Sequence, residues 1–111
     1  MSELSRAEET VLLAILRLGD EAYGVSIRKV IRELSGKDYA YGTLYGVLDQ
    51  MVRKEYVWKV KGEPTHERGG RGKTYYRLTR EGVDELRSAL EFHQSVWKGI
   101  SAGRLERIEE V

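Results

Sequence analysis

Arg68, Arg71 and Lys73 fall within six residues of one another, at the end of the segment Gly62-Glu63-Pro64-Thr65-His66-Glu67-Arg68-Gly69-Gly70-Arg71-Gly72. That segment holds the chain's only proline and four of its twelve glycines, so it is neither helix nor continuous strand. It is longer than a tight hairpin turn and should project from the elements that carry it. Cationic groups on a Gly-rich finger suit a surface that must approach a phosphate backbone closely, and an arginine also suits a narrow minor groove. Taken alone, the same charges describe a solvated loop equally well. Thr43 and Tyr45 form a second group, on the polar side of the first turn of a helix. There their hydroxyls could bond phosphate oxygens or base edges. The alternatives are a threonine bonded to its own backbone and a tyrosine ring packed on the preceding helix. Tyr23 opens another helix, whose first N–H groups can receive a phosphate; otherwise it belongs to the core. Tyr39 and Tyr41 are weaker candidates, of which one should pack.

The charge of the 111-residue chain, +1 overall, is unevenly spread. Residues 53–80 carry nine basic side chains (Arg53, Lys54, Lys59, Lys61, Arg68, Arg71, Lys73, Arg77 and Arg80) against three acidic ones. The segments on either side are mildly acidic. Positive charge concentrated in one stretch is an electrostatic footprint for a polyanion.

Other chemistries find little support. The chain has no cysteine, which excludes disulfides and thiolate metal sites. Its two histidines, His66 and His93, lie far apart and make no ligand set. There is no paired carboxylate in an apolar setting and no nucleophile with a spaced base. Gly69-Gly70-Arg71-Gly72 precedes a strand, not a helix, and so lacks the terminus that would hold a nucleotide. The reading is therefore not an enzyme, with no cofactor and no metal. No apolar run is long enough to cross a membrane, and the N-terminus lacks a basic start followed by an apolar stretch; a cytoplasmic location is expected.

The elements that position these residues are readable from periodicity. Ser5-Arg6-Ala7-Glu8 fits a capping box, and Val11, Leu12, Ile15 and Leu16 follow at helical spacing up to Gly19. Val25, Ile27, Val30, Ile31 and Leu34 give a second helix one apolar face, closed by Gly36. Leu44, Val47, Leu48, Met51 and Val52 give a third. Gly46, inside that third helix, costs about 1 kcal/mol relative to alanine; its use would be close approach of a neighbour or a ligand. Tyr56–Lys61 and Lys73–Leu78 read as strands, with Trp58, Tyr75 and Tyr76 expected in sheet and core. Thr79 can cap a fourth helix. There Val83, Leu86, Leu90, His93, Trp97 and Ile100 alternate three and four apart as a heptad seam.

Three helices, a hairpin and a long helix make an α+β, mostly α chain with the plan of a winged helix-turn-helix. The third helix would lie in the major groove and the hairpin loop beside it. Residues 1–80 would form that domain and residues 81–111 a dimerisation helix. Such folds also serve as protein-docking modules, so an interaction module without sequence-specific DNA binding is the competing expectation.

Three stretches resemble the PadR-like family of transcriptional regulators. They are Ala22-Tyr23-Gly24-Val25, Tyr41-Gly42-Thr43-Leu44-Tyr45-Gly46-Val47-Leu48, and Gly69 to Gly82 with Tyr75-Tyr76-Arg77-Leu78-Thr79 at its centre. The resemblance spans roughly residues 8 to 90. It implies a homodimeric repressor of the family's compact branch, bound to double-stranded DNA and paired through its C-terminal helix. By that resemblance Tyr23, Tyr41, Gly42, Thr43, Tyr45, Arg68, Arg71 and Lys73 would face DNA. Some compact relatives admit planar aromatic ligands between paired tryptophans, which makes Trp97 a candidate for a small aromatic effector. Two departures stand out. Glu55 stands where the family usually has glycine, at a cost of about 1 kcal/mol if the backbone there is left-handed. Tyr41 stands where a small residue or proline is common.

Overall fold

The computed structural model describes residues 3–62 and 72–107. Helix α1 spans Arg6–Leu18, followed by a short 3-10 turn at Gly19–Glu21. Helix α2 spans Gly24–Ser35, α3 Tyr41–Arg53, and strands β1 and β2 Val57–Lys61 and Thr74–Leu78. Helix α4 spans Arg80–Trp97 and a short α5 Ala102–Glu106. The order is the one read from periodicity, with α5 added.

Local chemistry sets the boundaries. Ser5 Oγ accepts the Glu8 N–H at 3.1 Å and the Glu8 carboxylate accepts the Ser5 N–H at 2.8 Å, the reciprocal capping box. At the other end of α3 the chain makes a Schellman turn: the Tyr56 N–H reaches Met51 O and the Glu55 N–H reaches Val52 O, each at 3.0 Å. Such a turn needs a left-handed residue, and Glu55 supplies it with φ 65°, the one non-glycine with positive φ among the described residues. Thr79 then ties this turn to α4. Its hydroxyl donates to Glu55 O at 2.7 Å and accepts the Gly82 N–H at 3.0 Å, and its own N–H reaches Tyr56 O at 3.0 Å. Gly82 lies so close to the Tyr56 carbonyl that a Cβ would collide with it.

The strands pair antiparallel, with Val57 opposite Leu78 and Lys59 opposite Tyr76. On the far edge of β2, Tyr23 bridges Tyr75, and the Tyr76 N–H donates to Ala22 O at 2.8 Å, so the segment before α2 covers an edge that would otherwise be open. The core gathers Leu12 and Ile15 of α1, Ile27 and Ile31 of α2, Leu44, Leu48 and Met51 of α3, Val57, Tyr76 and Leu86.

Several apolar residues expected inside lie outside. Val25 and Leu34 of α2 and Leu16 of α1 are more than half exposed: Val25 and Leu16 fall on the side of their helices away from the buried residues, and Leu34 lies in the last turn of α2. Trp58 is 51% exposed: strand alternation that buries Val57 turns Trp58 to the outer face, directly opposite Arg77. The seam of α4 divides. Leu86 is packed in this chain's own core and Val83 is half buried, so both meet the α1–β2 side of the body before any partner could. Leu90 and Trp97 remain exposed beyond it. Ile100 falls outside the helix, since α4 ends at Trp97 and the chain turns at Gly99 with φ 82°. His93, read as part of the seam, meets Glu9 of α1 within the same chain at 3.1 Å.

Candidate nucleic-acid interface

The N-termini of α2 and α3 and the start of β2 meet on one side of the molecule. Tyr23, Gly24 and Val25 from α2, Tyr45 from α3, Lys59 from β1, and Lys73, Thr74 and Tyr76 line an open cleft there. Lys73 Nζ stands 4.1 Å from the centre of the Tyr23 ring, and the edge of that ring meets Tyr75 at 5.6 Å. Arg77 lies 5.9 Å over Tyr75 in turn, within cation–π range. Thus Tyr23, Tyr45 and Lys73, singled out by residue type, do come together.

Tyr41 lines an adjoining groove with Val25, Arg28, Lys29, Arg32 and Glu33. Its ring stacks on Tyr45, with centroids 6.2 Å apart and planes 26° off parallel. Tyr45 itself packs on α2: its hydroxyl fills the space a Cβ on Gly24 would need. Both rings still show about 40% of their surface. Gly42 and Thr43 lie in the exposed first turn. Gly42 and Gly46, four residues apart, share a face, and a Cβ at either would meet nothing within 4 Å. Among the described residues nothing stands against these two positions, so the helix backbone there is open to an outside surface.

The electrostatics are more mixed than the count of basic residues suggests. Lys54 pairs with Glu8 at 3.1 Å, Arg77 with Asp20 at 3.3 Å and Lys59 with Asp49 at 3.9 Å. The Arg77 and Lys59 pairs are exposed and contribute little to stability, while Lys54–Glu8 is partly buried; all three lower the net positive field. Lys73 has no ion pair among the described residues and remains available. Arg68 and Arg71 lie outside the described residues. The first turn of α2 has no side-chain cap; Ser26 Oγ instead accepts the Tyr23 N–H at 3.0 Å. Burial, then the nearby Tyr45 and Asp49, pushes the Tyr76 phenol up from its ordinary 10.0, so it is neutral in the cleft at physiological pH.

Arg28, Gly24, Lys59 and Tyr76 were not among the residues the sequence placed against DNA. The one available signal was spacing: Gly24 and Arg28 are four apart on α2, as Tyr41 and Tyr45 are on α3.

This arrangement can be set beside known proteins. The model of the transcriptional regulator PadR-like family matches residues 12–88, more than half of the chain. The chain belongs to the PadR-like family of transcriptional regulators. The solved structure of RosR from H. salinarum is similar, with 31% identity and a TM-score of 0.67 over 96% of this chain and 88% of that one. A PadR family transcription regulator from Clostridium difficile R20291 shares 28% identity with a TM-score of 0.68, over 82% of this chain and 91% of that one. F93 from STIV, a winged-helix DNA-binding protein, is 18% identical with a TM-score of 0.67, over 88% of this chain and 98% of its own, a likeness of fold. Among curated proteins none matches. This PadR-like regulator is thus a winged-helix protein with a two-stranded wing and a long C-terminal helix. Among its described residues no helix is long and apolar enough to cross a membrane.

Proposed function

We propose that this regulator is a homodimeric repressor that binds near-palindromic operators. The observation that carries the reading is the shared surface of the α2 and α3 N-termini and Lys73, exposed, cationic at one edge and open along the α3 backbone. Helix α3 enters the major groove with Gly42 and Thr43 leading, and Tyr41 and Tyr45 beside them. The uncapped first turn of α2, flanked by Tyr23 and Lys73, takes a backbone phosphate. The wing, with Arg68 and Arg71, follows the phosphate backbone or the minor groove alongside. Residues 1–80 hold DNA and residues 81–111 pair the subunits.

Pairing is supported by the overhanging half of α4, where Leu90, Phe92, Val96 and Trp97 are each more than half exposed. Glu9 of α1 touches α4 through His93, and Leu13 and Leu16, exposed on the same α1 face, widen that surface. A two-fold pairing would set Trp97 near its mate and offer a stacking surface to a planar aromatic effector. It would also fix half-sites about one helical turn apart.

Gel shifts with sheared genomic DNA test the reading. Binding should appear at low salt and weaken steeply as salt rises; no binding at low salt would remove it. The exposed rings of Tyr41 and Tyr45 give the protein-docking alternative its foothold. Charge reversal at Arg68 and Arg71 separates the two: it should abolish retention on DNA resin here, and leave partner capture unchanged if docking is the function.

A further inference from the structure

Arg28 is held by three partners, all near the turn between α2 and α3. Its Nε donates to Tyr39 O at 2.7 Å, one Nη pairs with Asp38 at 2.9 Å, and its guanidinium carbon sits 4.7 Å over the centre of the Tyr41 ring. The Tyr41 ring is also stacked on Tyr45, whose hydroxyl rests on Gly24. Two residues four apart on α2, Gly24 and Arg28, therefore meet two residues four apart on α3, Tyr45 and Tyr41. The result is a two-rung clasp between the helices, set at the N-terminal end of α3.

We propose that Arg28 is a positioning residue for DNA recognition: it fixes the first turn of α3 against α2 and so determines sequence specificity without contacting a phosphate. The inference rests on the operator-binding reading above. Arg28 lies beside Lys29 and Arg32 on the basic side of α2, where an arginine would ordinarily count as a phosphate contact. Its geometry argues otherwise. The guanidinium carbon lies over the Tyr41 ring, and two of its nitrogens are committed to Tyr39 and Asp38. A planar fork that stacks and bonds at once is a role lysine cannot reproduce. Two hydrogen-bonded anchors in the connector and one in the ring leave the helix start a single orientation.

The two roles predict opposite signs at Asp38. Removing an acid beside a DNA-binding surface strengthens binding if only charge matters. Removing the partner that orients Arg28 weakens recognition if position matters. Parent, Asp38→Asn, Arg28→Lys and Arg28→Met should be compared on the duplex the parent enriches from random DNA and on random-sequence duplex, across a salt series, with helix content checked by circular dichroism. All three variants should lose about tenfold on the enriched duplex, the size of one displaced base contact. Binding to random duplex should stay within about twofold, and the salt slope should be unchanged. Asp38→Asn at or above parental affinity, or Arg28→Lys at parental affinity, overturns the positioning role, as does a salt slope reduced by about one in Arg28→Met. A parent that enriches no sequence overturns the operator reading and this role with it, a result separable from the others because it is read on the parent alone.

Discussion

At the scale of single residues, strain and charge are both visible. Glu55 holds φ 65° to complete the turn after α3, a conformation that costs a non-glycine residue about 1 kcal/mol. Glu55→Gly should raise stability by about 0.5–1 kcal/mol, seen as a higher urea midpoint with an unchanged slope. Gly82 is the opposite case. Its Cα abuts the Tyr56 carbonyl, so Gly82→Ala should destabilise by about 1–3 kcal/mol in the same measurement. Glu8 gives a pH dependence. Burial raises its pKa, but the Ser5 N–H and Lys54 together outweigh burial and leave it below the ordinary 4.5. A carboxylate lowered in the folded state contributes stability that is present above its unfolded pKa and lost as pH falls through the lowered folded value. Urea midpoints should therefore fall with acid below about pH 4.5, and Glu8→Gln should flatten that part of the profile. Ser5→Ala should cost about 1 kcal/mol at neutral pH. The Ser5–Glu8 box could be read from sequence because it depends only on residues within one turn, whereas the left-handed Glu55 was raised only as a condition, by the family's usual glycine at that position.

Elements carry the recognition surface, and here legibility depended on range. Periodicity located α1 to α4 because a buried helix must repeat its apolar residues every three or four positions. It could not show that Gly24–Arg28 would face Tyr45–Tyr41, since that depends on how two helices cross. It also misassigned Trp58, whose side of the sheet follows from which neighbour in β1 the core takes. Within α3, Gly46 separates the demands of folding from those of binding. A Cβ there meets nothing, so Gly46→Ala should stabilise the fold by about 1 kcal/mol through helix propensity. The same methyl group would stand on the face offered to DNA and should weaken binding. Denaturation and gel shifts on one variant check both halves. A gain in stability with unchanged affinity would show that close backbone approach is not used.

At the scale of the whole molecule, the extents of 61 × 28 × 21 Å reflect a compact body with α4 and α5 reaching beyond it. The seam in α4 is one stripe with two destinations. Val83 and Leu86 serve this chain's core, while Leu90 and Trp97 are each more than half exposed. A stripe's spacing is legible in sequence, but where the body stops is not, so the residues that close the fold and those left exposed looked alike. Burying a leucine or tryptophan contributes about 1.5–3 kcal/mol, so Leu90→Asp should weaken self-association by about tenfold or more, read by sedimentation beside Trp97→Ala and the parent. Leu86→Ala should instead lower the stability of each subunit, by about 2–5 kcal/mol. In the proposed reading dimerisation and DNA recognition are one claim, since pairing through α4 would set the distance between the two α3 helices. Selection of bound sequences from random double-stranded DNA tests it most directly. The account predicts an enriched motif of two inverted half-sites whose centres lie about one helical turn apart. Enrichment of a single unpaired half-site, or of no motif at all, would contradict it.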